Sequence, residues 1–304
     1  MRLINTTTLE LEEFASPDAH PYAILSHTWE EEEVTFQIWS HADREVRQRR
    51  KGFAKIARAC KIAREKGLQY AWVDACCINK ESSAELTEAI NSMFTWYQKA
   101  TACLVYLSDF PPHTPEFPDP LLPHCRWFTR GWTLQELIGP TSLTFYDRDW
   151  NDHGSKRLRS FEISTITGID VAVLEASSLL KSIPVGRKMS WAAGRQTTRE
   201  EDIAYCLLGI FDVNMSLIYG EGSKAFARLQ EEIMKKTNDM TLFAWTSQPE
   251  EASTSLPKAQ QTGQTYRGIL ARSPAEFATC RRVIMDHSLQ LNMEFTVTNS
   301  GVRI

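Results

Sequence analysis

Residues 130–137 read Arg-Gly-Trp-Thr-Leu-Gln-Glu-Leu, and within them Trp132, Glu136 and Leu137 form a W-x-x-x-E-L pattern. Residues four apart on a helix are neighbours, so the Trp132 indole is placed to wall off and partly desolvate the Glu136 carboxylate. A carboxylate against an apolar wall is a candidate for chemistry. Arg126 and Arg130, again four apart, put two permanent charges beside it, and their planar guanidinium forks suit phosphate or carboxylate groups. The plainer alternatives are a solvated Glu136, tryptophans that only fill a core, and arginines that pair with nearby acids.

Other candidates are weaker. Adjacent cysteines in a strand, as expected for Cys76 and Cys77, point to opposite faces, and no C-x-x-C spacing or histidine pair completes a tetrahedral set around them. Core packing is expected there, and no metal is assigned. His124 beside Cys125 lacks an orienting acid for a nucleophile pair. Gly220-Glu221-Gly222-Ser223-Lys224 does not complete a phosphate-loop spacing and reads as the turn that starts a helix. His27 and Asp74 stand at strand ends, where each is either a ligand contact or a structural group, His27 beside Trp29.

A chain of 304 residues suits about two domains. Its net charge is −4 with 24% charged residues, so no basic field exists to hold a phosphodiester backbone, and nucleic acid is not an expected partner. The seven cysteines are odd in number and lie mostly in apolar runs, which fits reduced thiols. The N-terminus lacks an apolar signal core, and no stretch approaches the roughly 18 apolar residues of a membrane span. A cytoplasmic protein with no membrane span is expected. Trp29, Trp132, Trp150 and Trp191 stand in polar contexts, where each indole N–H needs a partner.

The elements that must position these groups alternate strand and helix in the first half of the chain, which implies a parallel sheet covered by helices. Strands are expected at 22–26, 68–73, 102–107 and 142–146. A helix is expected over 52–66 with Gly67 as its cap, and a second is capped by Ser82 with Glu85. Six prolines between Pro111 and Pro123 rule out helix or inner strand there. In the second half, Thr198 with Glu201 reads as a capping box, Phe226, Leu229 and Ile233 mark a helix, 249–264 a loop, and 289–297 a strand. The expected organisation is an α/β domain over 1–150, a helical extension over 151–240, and a loop with a β-rich segment over 241–304. Ligands of an open parallel sheet bind outside the carboxyl ends of its strands, here Ser26-His27, Asp74 and Ser108-Asp109.

Three motifs, Tyr-Ala-Ile-Leu-Ser-His-Thr-Trp (22–29), Trp-Val-Asp-Ala-Cys-Cys-Ile-Asn-Lys (72–80) and Arg-Gly-Trp-Thr-Leu-Gln-Glu-Leu (130–137), occur in the order found in the fungal heterokaryon incompatibility (HET) domain. The opening Met-Arg-Leu-Ile-Asn-Thr-Thr-Thr and residues 189–205 resemble HET proteins of the vegetative-incompatibility type, with Glu30 standing where many relatives have Gly. The HET domain itself distantly resembles TIR domains. That resemblance implies a flavodoxin-like sheet, a role in regulated cell death, and Glu136 as the catalytic residue of a reaction that releases nicotinamide from NAD+ without a cofactor. Position alone, beyond that resemblance, assigns Arg126 or Arg130 to the pyrophosphate and Ser26 and Asp74 to the nicotinamide-ribose end, with His27, Trp29 and Trp132 as further substrate-site candidates. The alternative is a signalling module of the same family that self-associates, or engages other incompatibility proteins, without enzymatic activity. The abrupt end at Ile304 also raises a truncated relative.

Overall fold

A computed structural model of the chain describes residues 1–247 and 268–284, with the backbone of two short strands at 296–298 and 301–303. The chain opens with strands β1 (Arg2–Asn5), β2 (Leu11–Glu13) and β3 (Tyr22–His27). All six residues of β3 are buried, and the apolar run Tyr22–Leu25 is what a central strand covered on both faces requires, with the polar Ser26 and His27 at its carboxyl end. Two short helices, α1 (Phe36–His41) and α2 (Arg44–Gln48), lead to α3 (Lys51–Glu65), which buries Ile56, Ala59, Cys60 and Ala63 on one stripe. Gly67, at φ +78°, ends that helix, its N–H bonding Arg64 O at 2.9 Å. Next come β4 (Tyr70–Trp72), α4 (Asp74–Cys77), α5 (Ser83–Lys99) and β5 (Ala102–Tyr106). Ser82 caps α5 through Glu85 N–H at 3.3 Å, while the Glu85 carboxylate reaches past it to accept Asn79 N–H at 2.8 Å.

The proline-rich segment then delivers the chain to α6 (Thr133–Ile138), followed by β6 (Leu143–Tyr146) and β7 (Asp152–Ser155). Among the described residues the sheet has the order β2-β1-β4-β3-β5-β6-β7. Its centre, β4-β3-β5-β6, is parallel, while β1, β2 and β7 add antiparallel edges. The fold class is therefore α/β, with a mixed sheet. The chain leaves β3 for β4 on one side and crosses to β5 on the other, so the topological switch point, where such sheets bind ligands, lies between β3 and β5.

Several expectations need correction. Cys76 and Cys77 sit in α4, a helical turn after β4, and both are buried there. The sheet does not stop at residue 150, because β7 pairs with β6. Thr198 caps nothing: the helix begins at Asp202, and the Glu201 carboxylate accepts the N–H groups of Gly220 (2.7 Å) and Gly222 (3.1 Å). The expected loop over 249–264 and most of the strand over 289–297 lie outside the described residues. Residues 296–298 pair antiparallel with 301–303.

The helical second half is tied directly to the W-x-x-x-E-L segment. Gly131 N–H bonds Gln196 O at 2.9 Å, and Gln196 N–H bonds Thr129 O at 2.7 Å. The buried Arg195 guanidinium donates to Arg130 O (2.8 Å) and Thr133 Oγ1 (2.9 Å) beneath α6. A buried charge is tolerable only when its donors are taken up, and these bonds lock α6 in place. No helix among the described residues is long and apolar enough to cross a membrane.

Candidate functional site

Successive residues of a strand face opposite sides of the sheet, and at the end of β3 this alternation separates two clusters. Ser26 points to one face and His27 to the other. On the Ser26 side, Trp127 Nε1–H donates to Ser26 Oγ at 2.8 Å, and Ser26 donates in turn to Glu136 Oε2 at 2.5 Å. The two residues of the second bond are 110 positions apart in the chain. Glu136 is 7% exposed, and burial raises its pKa to about 8, with the Asp74 charge adding to the rise while the Ser26 and Tyr97 hydroxyls and the Arg195 charge oppose it. With its pKa raised to about 8, the buried carboxyl is held mostly as the neutral acid at neutral pH.

The His27 side is charged. Lys55 Nζ donates to His27 Nδ1 at 2.7 Å and to Glu33 Oε1 at 2.5 Å. An ammonium has no acceptor, so Nδ1 accepts and the proton of a neutral His27 sits on Nε2, which donates to Asp74 Oδ1 at 3.1 Å. Asp74 Oδ2 also takes Trp29 Nε1–H (2.9 Å) and Lys80 Nζ (3.2 Å), while Lys80 lies over the Trp29 ring, 3.6 Å from its centroid. Burial works against the Asp74 charge, yet Lys80 and His27 together hold its pKa well below the ordinary carboxylate range. The helix α3 brings Lys55 here because Gly52 lets its first turn meet the 30–33 loop: a Cβ on Gly52 would stand 3.0 Å from Glu33 Cα.

Outside the His27 cluster an open cleft of about 930 Å³ runs across the carboxyl ends of β3, β5 and β6. Trp29, Tyr106 and Trp150 supply aromatic surface, and Lys51, Lys55, Arg58, Arg126 and Arg148 supply five cations against the three carboxylates of Glu30, Glu31 and Glu33. Tyr106 and Trp150 stack with centroids 4.6 Å apart and 22° between planes. Glu30 pairs with Arg126 at 3.0 Å on the cleft wall. A concave site of this size with aromatic walls and a cationic excess accommodates an anionic ring-bearing ligand.

The sequence-derived candidates thus divide. His27, Trp29 and Asp74 form one hydrogen-bonded set, and Trp29 and Arg126 line the cleft. Ser26 joins Glu136 instead. Arg130 and Trp132 do not line the cleft: Arg130 Nη2 donates to Thr198 Oγ1 at 3.0 Å, and Trp132 Nε1–H to Asp202 Oδ2 at 3.3 Å. Trp132 precedes the first turn of α6 as its N-cap residue, so its indole turns toward the helical half, and Trp127 is the tryptophan of the Glu136 cluster. The sequence reading missed Lys55, Glu33, Tyr97, Trp127 and Arg195. Lys55 did carry a signal, a lysine on the apolar stripe of α3. Burial, with Asp109 and Asp119 nearby, pushes the Cys125 thiol up to about 12, which works against the thiolate a nucleophile needs.

Fold and site together define an α/β domain with a charged, aromatic cleft at the switch point of its sheet. Residues 22–121 match the family model of the heterokaryon incompatibility protein (HET), and residues 224–304 match a domain of unknown function (DUF8212). The chain belongs to the HET family. It is similar to the vegetative incompatibility protein HET-E-1 of Podospora anserina, 47% identical over 223 residues, which are 71% of this chain and 16% of that relative's length. No solved structure matches the chain.

Proposed function

We propose that the protein acts in heterokaryon incompatibility and that its cleft binds a nucleotide, with NAD+ as the candidate ligand and release of nicotinamide as the candidate reaction. The observation that carries this reading is the set of cations and aromatic rings gathered at the switch point between β3 and β5. Pyrophosphate is matched by Arg126 with Arg148 or Arg58, and the rings of Trp29 and Trp150 offer stacking surface. Glu136 enters the reaction in a TIR-like way, as a carboxylate that stabilises the positive charge developing on the ribose. That role needs the carboxyl to lose its proton and to be uncovered beside β3, so nicotinamide release should rise as pH passes through about 8.

A second reading is favoured by one specific observation, the burial of Glu136 away from the cleft lining. In it the cleft holds a nucleotide as a signal, and the domain acts by self-association or by engaging other incompatibility proteins. Calorimetric titration with NAD+ and a nicotinamide-release assay at high protein concentration, run on the wild type and Glu136→Gln, separate the two. Binding with Glu136-dependent release supports the enzyme. Binding without release supports the signalling module, and absence of binding overturns the nucleotide assignment.

A further inference from the structure

His113, Asp119 and His153 come together at the far end of the sheet, one ligand atom of each lying within 4.8 Å of the others. His113 and Asp119 belong to the proline-rich segment, and His153 to β7. Their hydrogen bonds fix the tautomers. His113 Nδ1 stands 2.8 Å from Pro111 O; a carbonyl only accepts, so Nδ1 carries a proton, and Nε2 faces Asp119 Oδ2 at 2.8 Å, as a lone pair in the neutral ring or as an N–H donor in the imidazolium. In the neutral ring two lone pairs would face each other at that distance and repel, unless a proton or a metal ion lies between them. His153, with its side chain fully buried, gives Nε2–H to Asp147 Oδ2 at 3.0 Å, which leaves Nδ1 as a bare lone pair with no hydrogen-bond partner.

We infer that His113 Nε2, His153 Nδ1 and the Asp119 carboxylate form a binding site for a divalent first-row metal ion, zinc foremost. Two imidazoles and one carboxylate are a donor set such ions take, with a fourth position open to water. Both histidines already have the outer partner that ligating histidines characteristically use, a carboxylate for one and a backbone carbonyl for the other. Donor separations between 2.8 and 4.8 Å bracket the spacing of about 3.3 Å that tetrahedral ligands adopt around zinc. Charge agrees as well. Asp119 and Glu162 share a single guanidinium, Arg159, which pairs with Glu162 at 2.7 Å and lies 3.9 Å from Asp119, while Asp147 faces His153, and a divalent ion balances these carboxylates. A proton on His113 alone would join Nε2 to Asp119 but leave His153 Nδ1 bare, and protonating both histidines would supply two charges. It would leave the new His153 Nδ1–H buried without an acceptor, a costly arrangement, whereas a metal ion satisfies both bare nitrogens. The bound ion would staple the proline-rich segment to β7.

The test strips the full chain with a chelator and titrates it with Zn2+ alone by calorimetry, following thermal unfolding in parallel. One ion per chain should bind and raise the midpoint. His113→Ala, on the half-buried side of the cluster, and Asp119→Asn should each lower the affinity at least tenfold, and Asp147→Asn by about 10- to 100-fold through its histidine. Co2+ in place of Zn2+ should give visible bands without a thiolate charge-transfer band, which distinguishes this site from the seven cysteines. Failure of the wild type to bind Zn2+, binding untouched by both His113→Ala and Asp119→Asn, or a thiolate band with Co2+ would each overturn the assignment.

Discussion

The two sides of β3 at its carboxyl end solve opposite electrostatic problems within one residue of each other. On the Ser26 side a single acid is buried without a compensating ion pair, and burial lifts its pKa until it carries a proton. On the His27 side, Glu33, Lys55, His27, Asp74 and Lys80 form a continuous hydrogen-bonded chain in which each carboxylate faces an ammonium and His27 bridges the two ion pairs. Burial alone removes charge, and burial with partners retains it. The two clusters are therefore separate in space and in kind: the hydrogen-bonded network stands behind the open cleft and orients Trp29, while Glu136 is buried behind Ser26.

The comparison is broken most severely at Lys55. Lys55→Met removes the ammonium while leaving His27 and Glu33 in place, so Glu33 stays buried without its ion-pair partner. Breaking such a pair costs about 3–5 kcal/mol, and urea denaturation at pH 7 should show a loss of that size. A near-neutral result would mean that the network is solvated, contrary to the 7% exposure of Lys55 and 8% of Glu33.

Glu136→Gln sharpens the other side, and here the sign reverses. An acid whose pKa is raised on folding binds more protons folded than unfolded between its ordinary value and about 8. Wild-type stability should therefore fall as pH rises through that window. Gln does not titrate, so the variant should match the wild type near pH 4.5 and exceed it by a few kcal/mol at pH 8. Parallel stability curves for the two proteins across that range would show that Glu136 is not shifted.

The smallest effect on stability belongs to Arg126→Ala. Its pairs with Glu30 and Asp109 are half-exposed, and such pairs contribute about 0.2–1 kcal/mol. Affinity of the cleft for NAD+ should fall all the same, by calorimetry, because Arg126 is assigned to the pyrophosphate. Stability lost with affinity intact would place Arg126 in the framework and out of the ligand site.

The order of the elements was legible because strand and helix periodicity is local. β3, α3, α5, β5 and β6 fall close to where apolar runs, the Ser82 cap and Gly67 place them. The antiparallel edges β1, β2 and β7 were not, since three or four residues carry too little pattern to be distinguished from loop. Among site residues, the sequence singled out Ser26, His27, Trp29, Asp74, Arg126 and Glu136 by type and by position at strand ends. It could not say that Ser26 and His27 part company across the sheet, that Trp127 and not Trp132 reaches the Glu136 cluster, or that Arg130 turns to Thr198. Those outcomes depend on which side chains from distant segments fill the same space. The same holds for His113, Asp119 and His153, whose spacings of 6 and 34 residues spell no motif in the chain. Residue type and local period determined what each group can do. Only the packing of one segment against another decided which groups meet, and whether each keeps its charge.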